Sequence, residues 1–200
     1  MLFLVAMAAA STTLLLTDES MQAVRGAPML GPGTTLEGEG TRALFETSAT
    51  LQASRWQSIV IHHSGSPAGD AETLNRLHIT YGLDGLGYHF VIGNGSGMGD
   101  GIIHIGYRWR RQLPGAHALG DNAEWFNRNA IAICLIGNGD NRAFTDRQME
   151  SVVRLVRDLQ SRLLIPAERV VLHREIAPVR SPGRNFDEAA FRSRLIQLPR

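Results

Sequence analysis

Two apolar runs in this chain end abruptly on histidine: Val60-Ile61-His62-His63-Ser64 and Val170-Val171-Leu172-His173. Neutral imidazole is the commonest protein ligand for zinc, and a catalytic zinc takes three protein ligands while keeping a fourth position open. A strand that stops on histidine delivers the ring to the rim of a sheet, where residues remote in sequence meet. His62 and His63 are consecutive on one strand and face opposite ways, so at most one of them enters a shared site. A single strand-end histidine is more often structural than ligating. Two such ends, the second followed by Ser181-Pro182-Gly183, strengthen the case for a site.

The elements that must position these residues are legible in part. Ser58 to His62 reads as a buried strand, with β-branched Ile59, Val60 and Ile61. Asp70 to Tyr81 carries Leu74, Leu77 and Ile79 and reads as a helix. Gly87 to Ile92 is a strand, Gly93 to Gly97 a hairpin region, and Ile102 to Ile105 a return strand. Residues 106–129 show no period and read as a long loop. Ala130 to Ile136 is continuously apolar, as a central strand covered on both faces would be. Thr145 and Gln148 form a capping box that opens a helix. Met149, Val152, Val153, Val156, Leu159 and Leu163 give it a 3.6-residue stripe as far as Leu164, before Pro166. Val170 to Leu172 is the last strand, and Asp187 caps a final helix over 188–198. The order β-α-β-β-β-α-β-α implies an α/β fold, a central mixed β-sheet flanked by helices.

Composition bounds the function. The chain has 200 residues, 44% hydrophobic and 20% charged, with a net charge of +1 and one cysteine. Near-neutrality gives no footprint for nucleic acid. A lone Cys134 excludes an internal disulfide and a Cys-rich zinc finger. Residues 1–16 are uncharged and apolar, shorter than the roughly 20 residues of a membrane span and close to the apolar region of an export signal. Ala8-Ala9-Ala10-Ser11 supplies the small residues of a cleavage site, although a basic leader is missing. Residues 1–16 are therefore expected to be an export signal or a membrane anchor, which would tether the protein. Residues 17–55, rich in Gly, Thr, Glu and Pro, are linker-like, with a short helix over 43–53. The compact domain is expected over 56–200.

Other side chains carry weaker signals. Arg108, Trp109, Arg110 and Arg111 form a basic-aromatic cluster. It suits either a sugar face and carboxylates, which arginine clamps bidentately, or a solvated turn. Cys134, in mid-strand, reads as a small buried hydrophobe. His89 alternates with Tyr88 and packs away from it, while His78 and His104 read as structural or exposed.

From Trp56 to Phe186 the chain resembles the zinc-dependent N-acetylmuramoyl-L-alanine amidases and the peptidoglycan recognition proteins that share their fold. The resemblance rests on Val60-Ile61-His62-His63-Ser64, Gly87-Tyr88-His89-Phe90, Gly115-Ala116-His117, Asn129 to Leu135, and His173-Arg174-Glu175-Ile176-Ala177-Pro178. It implies that His62 and His173 bind zinc. Tyr88 would donate a hydrogen bond to the oxyanion of the attacked amide, a contribution of about 2.7–4 kcal/mol per donor. His117 would border the substrate groove; Trp109 and Arg111, read from the residue types of the basic-aromatic cluster and not from the resemblance, are the candidate further substrate contacts. Zinc would polarise the carbonyl and lower the pKa of its water to about 7. The bond cut would join N-acetylmuramic acid to L-alanine of the stem peptide. The partner would be peptidoglycan or muropeptides, and the protein would be exported to the cell envelope, periplasmic or secreted.

Two positions depart from the family pattern. The third ligand, usually cysteine or aspartate, falls on Ser181, whose neutral hydroxyl is a weak ligand. A catalytic-support position falls on Val179, which can neither donate a proton nor stabilise an oxyanion. Glu175, Asp187 and His63 are the nearby candidates to replace Ser181. Two readings follow: a zinc amidase, or a module that binds peptidoglycan without cleaving it. A third, weaker reading is a membrane-tethered scaffold with a vestigial groove.

Overall fold

A computed structural model describes residues 41–198. The expected leader, the tether and most of the linker-like segment lie outside them. Among the described residues, no helix is long and apolar enough to cross a membrane.

Five strands form one sheet: β1 (Ser58–His63), β2 (Phe90–Ile92), β3 (Ile103–Ile105), β4 (Ala130–Leu135) and β5 (Val170–Leu172). Their order is β3-β2-β4-β1-β5. The pairs β1·β4, β1·β5 and β2·β4 are parallel, and β3 joins β2 antiparallel at one edge. The sheet is thus mixed, as expected. The continuously apolar β4 lies at its centre and is buried along its whole length.

Strand alternation divides the residues between two cores. Ile59, Ile61, Ile131 and Ile133 face a large core with Trp56, Trp109 and Phe90, closed by α5 (Asp146–Leu163) through Val152, Val156 and Leu159. The α5 N-terminus carries the capping box read from the sequence: Gln148 N–H donates to Thr145 Oγ1, and the Gln148 side chain accepts from Thr145 N–H. On the opposite face Val91 and Cys134 pack under Ala71 and Leu74 of α2 (Ala71–Thr80), whose N-cap Asp70 accepts from Thr73 N–H. His62 is paired with Cys134 across the ladder and shares that second face.

Several boundaries differ from expectation. The packed body reaches back beyond Trp56 to Leu44 of α1 (Thr41–Phe45), which is 1% exposed and accepts the Trp109 indole N–H on its carbonyl. A single buried leucine next to a Gly-rich stretch gives no periodic signal by which to read this anchor. The expected loop over 106–129 holds two short helices, α3 (Tyr107–Arg110) and α4 (Ala123–Asn129). They are too short for periodicity to show. The last helix, α7, is shorter than expected and spans Glu188–Ser193.

Candidate functional site

Strand register builds the site. β1 and β5 run side by side in parallel, with Ile61 paired to Leu172. The next residue on each strand is delivered to the same edge, and those residues are His62 and His173. Their ring centres stand 4.2 Å apart. His62 ends buried at 1% exposure. His173 opens α6 (His173–Ile176), a single turn with Leu172 at its N-cap. A belt of charges holds that turn. The Glu175 carboxylate accepts from Leu172 N–H at 2.5 Å and pairs with Arg192. Arg192 also pairs with Glu188, which in turn receives Arg174.

A third imidazole completes the cluster. Nδ1 of His117 is 3.0 Å from Nε2 of His62, with both rings buried. The loop that carries His117 is pinned from two sides. Ala116 N–H donates to the Gly87 carbonyl, and the Asn127 side-chain oxygen accepts from the backbone N–H groups of His117 and Ala118. Gly87 is required there, because a Cβ would collide with the Ala116 carbonyl. On the other side of His62 lies Tyr88, whose ring centre is 5.2 Å from that of His62 and 5.2 Å from that of His78. The Cys134 thiol lies beside the phenol.

Ser181 bridges the two strand ends. Its Oγ accepts from His63 N–H at 2.9 Å and its carbonyl accepts from Arg174 N–H at 2.8 Å, one residue past each of the two histidines. The loop behind it is tight. Gly183 has φ +100° and leaves no space for a side chain against the backbone of Gly139. His63, on the far face of β1, accepts from Gly139 N–H through Nδ1.

The electrostatics favour neutral rings. Burial first, then the imidazoles of His117 and His173, hold His62 well below the usual histidine range. Burial, then His89 and His173, do the same to His117. Burial lowers His173 to about 4, with a smaller push from His63. All three are therefore neutral at pH 7, the form that donates a lone pair to a metal. Burial raises Tyr88 well above its ordinary value, so the phenol keeps its proton and remains a donor.

The structure thus brings together His62, His173, Tyr88, His117 and the Ser181 loop. It does not bring in the others. Trp109 is 0% exposed in the large core, which corrects the expectation of a substrate contact: its hydrophobic bulk is used for packing. Arg108 is buried on the carbonyls of Leu86 and Pro114. Arg111 is exposed, and its guanidinium lies 6.0 Å from the Tyr107 ring centre. Glu175 and Asp187 are committed to backbone capping, the latter accepting from Ala190 N–H, so neither is free to replace Ser181. His89 is structural: Nδ1 accepts from Ala132 N–H and Nε2 donates to the Leu113 carbonyl. Asn127 and His78 carry no sequence signal as parts of the site. No local pattern marks an asparagine that holds a loop it is not next to.

The region 52–188 matches the family model described as N-acetylmuramoyl-L-alanine amidase. The chain belongs to that family. The endolysin of Enterobacteria phage T3 is 30% identical over 149 residues, covering 70% of this chain and 85% of that protein. The peptidoglycan recognition protein of Trichoplusia ni is 32% identical over 139 residues, 64% of this chain and 69% of that protein. Among solved structures, the amidase LysC from Clostridium intestinale URNW superposes with a TM-score of 0.59 at 26% identity, covering 70% of this chain and 85% of that one.

Amidases of this family are commonly zinc-dependent, so the donor set of this domain can be weighed against a zinc ion. Among the described residues, no group of three His, Cys, Asp or Glu side chains is arranged to hold a metal. The donors on offer are neutral imidazoles and one hydroxyl. Nε2 of His173 is buried without a hydrogen-bond partner. Unmet polar capacity of this kind is costly in a protein interior, and a bound cation relieves it. His62 and His173 therefore suit zinc as two neutral donors, while the serine leaves its positive charge uncompensated.

Proposed function

We propose that this domain acts on peptidoglycan in the cell envelope as a zinc amidase, hydrolysing the amide between N-acetylmuramic acid and L-alanine of the stem peptide. One observation carries the reading: His62 and His173 converge at 4.2 Å between ring centres, with Tyr88 against the first of them. His62 and His173 would hold the zinc, with Ser181 at the third position. When bound, zinc would supply Lewis acidity toward the scissile carbonyl and a lowered pKa for water. The protein's own contribution is preorganisation. The Tyr88 ring is wedged between His62 and His78, and its protonated phenol is available to donate to the carbonyl oxygen as negative charge develops there. Burial keeps both imidazoles neutral, and the Glu175-Arg192-Glu188-Arg174 belt keeps His173 in place. Residues 1–16 would direct export.

The serine supports a second reading, a module that binds peptidoglycan without cleaving it. Ser181 brings no charge to the cation, and Val179 contributes no polar group. Incubating purified protein and zinc with purified peptidoglycan separates the two. Release of free stem peptide that His62→Ala abolishes is the expected result. Saturable sedimentation with peptidoglycan and no peptide release would establish the binding module instead.

A further inference from the structure

We infer that His117 is a positioning residue for His62: Nδ1 of His117 accepts the Nε2 proton of His62, fixing that ring in the tautomer whose Nδ1 is bare. The inference rests on reading His62 as a metal ligand and deepens it.

The geometry allows one proton between the rings. Nε2 of His62 and Nδ1 of His117 are 3.0 Å apart, with the ring planes at 84°. Each neutral imidazole carries a single N–H, so the contact has only two possible directions. If His117 donated, the proton of His62 would sit on its own Nδ1, and neither nitrogen of His62 would be left for a cation. If His62 donates, its Nδ1 is bare. Metal-ligating histidines commonly donate their other ring N–H to an orienting acceptor, usually a carboxylate or carbonyl. Here that acceptor is an imidazole.

Three other histidines in this domain also use Nδ1 as an acceptor. His63 receives Gly139 N–H, His78 receives Gly87 N–H and His89 receives Ala132 N–H. His117 differs in receiving a ring rather than a backbone group. Its own backbone is fixed by Asn127, so the acceptor is held in place from behind. Nε2 of His117 then carries the ring's N–H, buried beside the backbone carbonyls of Phe126 and Ala130.

Asparagine and glutamine distinguish the two ring nitrogens. The Asn side-chain oxygen reaches the place of Nδ1, whereas that of Gln reaches the place of Nε2. His117→Asn should therefore keep zinc affinity, measured by calorimetry, within about threefold of the parent, and His117→Gln should weaken it by about 10–100-fold. Nitrogen-15 shifts of His62 in the zinc-free protein should show the Nε2–H tautomer in the parent and in His117→Asn, and a mixture in His117→Gln. Equal behaviour of the two variants, or an Nδ1–H tautomer in the parent, would overturn the inference. A parent protein that takes up no zinc would refute the metal reading of the site, and the zinc-free shifts would still decide the role of His117. Should His117→Gln fail to fold, the parent spectrum alone decides which ring donates.

Discussion

Ser181 concentrates the question of catalysis in one side-chain atom. Its hydroxyl lies at the junction of the two strand ends, accepting from His63 N–H. A thiol in the same place would be deprotonated by a bound cation, and the resulting thiolate would neutralise part of the cation's charge. Ser181→Cys should therefore raise zinc affinity by about tenfold or more, with calorimetry as the measurement. An unchanged affinity would mean that the loop does not reach the metal. The neighbouring histidines are ready for that test, since burial leaves His62 and His173 neutral at pH 7. The identity of the two strand-end histidines is readable from sequence, because an apolar run that stops on imidazole is an unusual local pattern. The role of Trp109 is not, because nothing local distinguishes an aromatic at a surface cluster from one in a core.

At the scale of elements, the site depends on pieces too small to announce themselves. α4 supplies Asn127, whose side-chain oxygen receives two backbone N–H groups at 2.8 and 3.0 Å and so holds the strap carrying His117. Replacing Asn127 with Leu leaves two buried donors unsatisfied, at about 1–3 kcal/mol each. Urea denaturation should show a loss in that range, and zinc affinity should fall with it. Asn127→Asp retains the acceptor and should be far milder in both measurements. Stability lost equally in the two variants would contradict the strap. Residues 106–129 carry no period in sequence, and a helix of two turns can be amphipathic without showing one. The long helix α5 is the contrasting case, since its stripe and capping box are visible in a single chain and both appear in the fold.

The molecule as a whole buries an unusual set of neutral imidazoles, and its stability should follow them. His89 is lowered to about 3 and His173 to about 4, both chiefly by burial, against about 6.5 in an unfolded chain. Between those limits the unfolded chain binds more protons than the folded one. Stability contributed by these rings is fully present above pH 6.5 and is lost as pH falls toward 4 and then 3. The carboxylates with lowered values, such as Asp70 and Glu188, titrate below this upper window. Urea midpoints should therefore already decline between pH 6.5 and 5. A flat profile across that interval would show that the rings are not buried in neutral form.

What the amino-acid sequence determined by itself was the periodic part: the strands that end on His62 and His173, the amphipathic α5, the apolar β4, and with them an α/β domain. Those features are local, set by side-chain alternation and stripe, and they need no distant partner to be read. Tertiary structure alone decided the rest. It set His117 rather than a surface group against His62, placed Ser181 on His63 N–H, drew Leu44 into the core and buried Trp109 there. Each of these is a contact between segments far apart in the chain, fixed by parallel strand register and by loops whose hydrogen bonds have no signature in local composition.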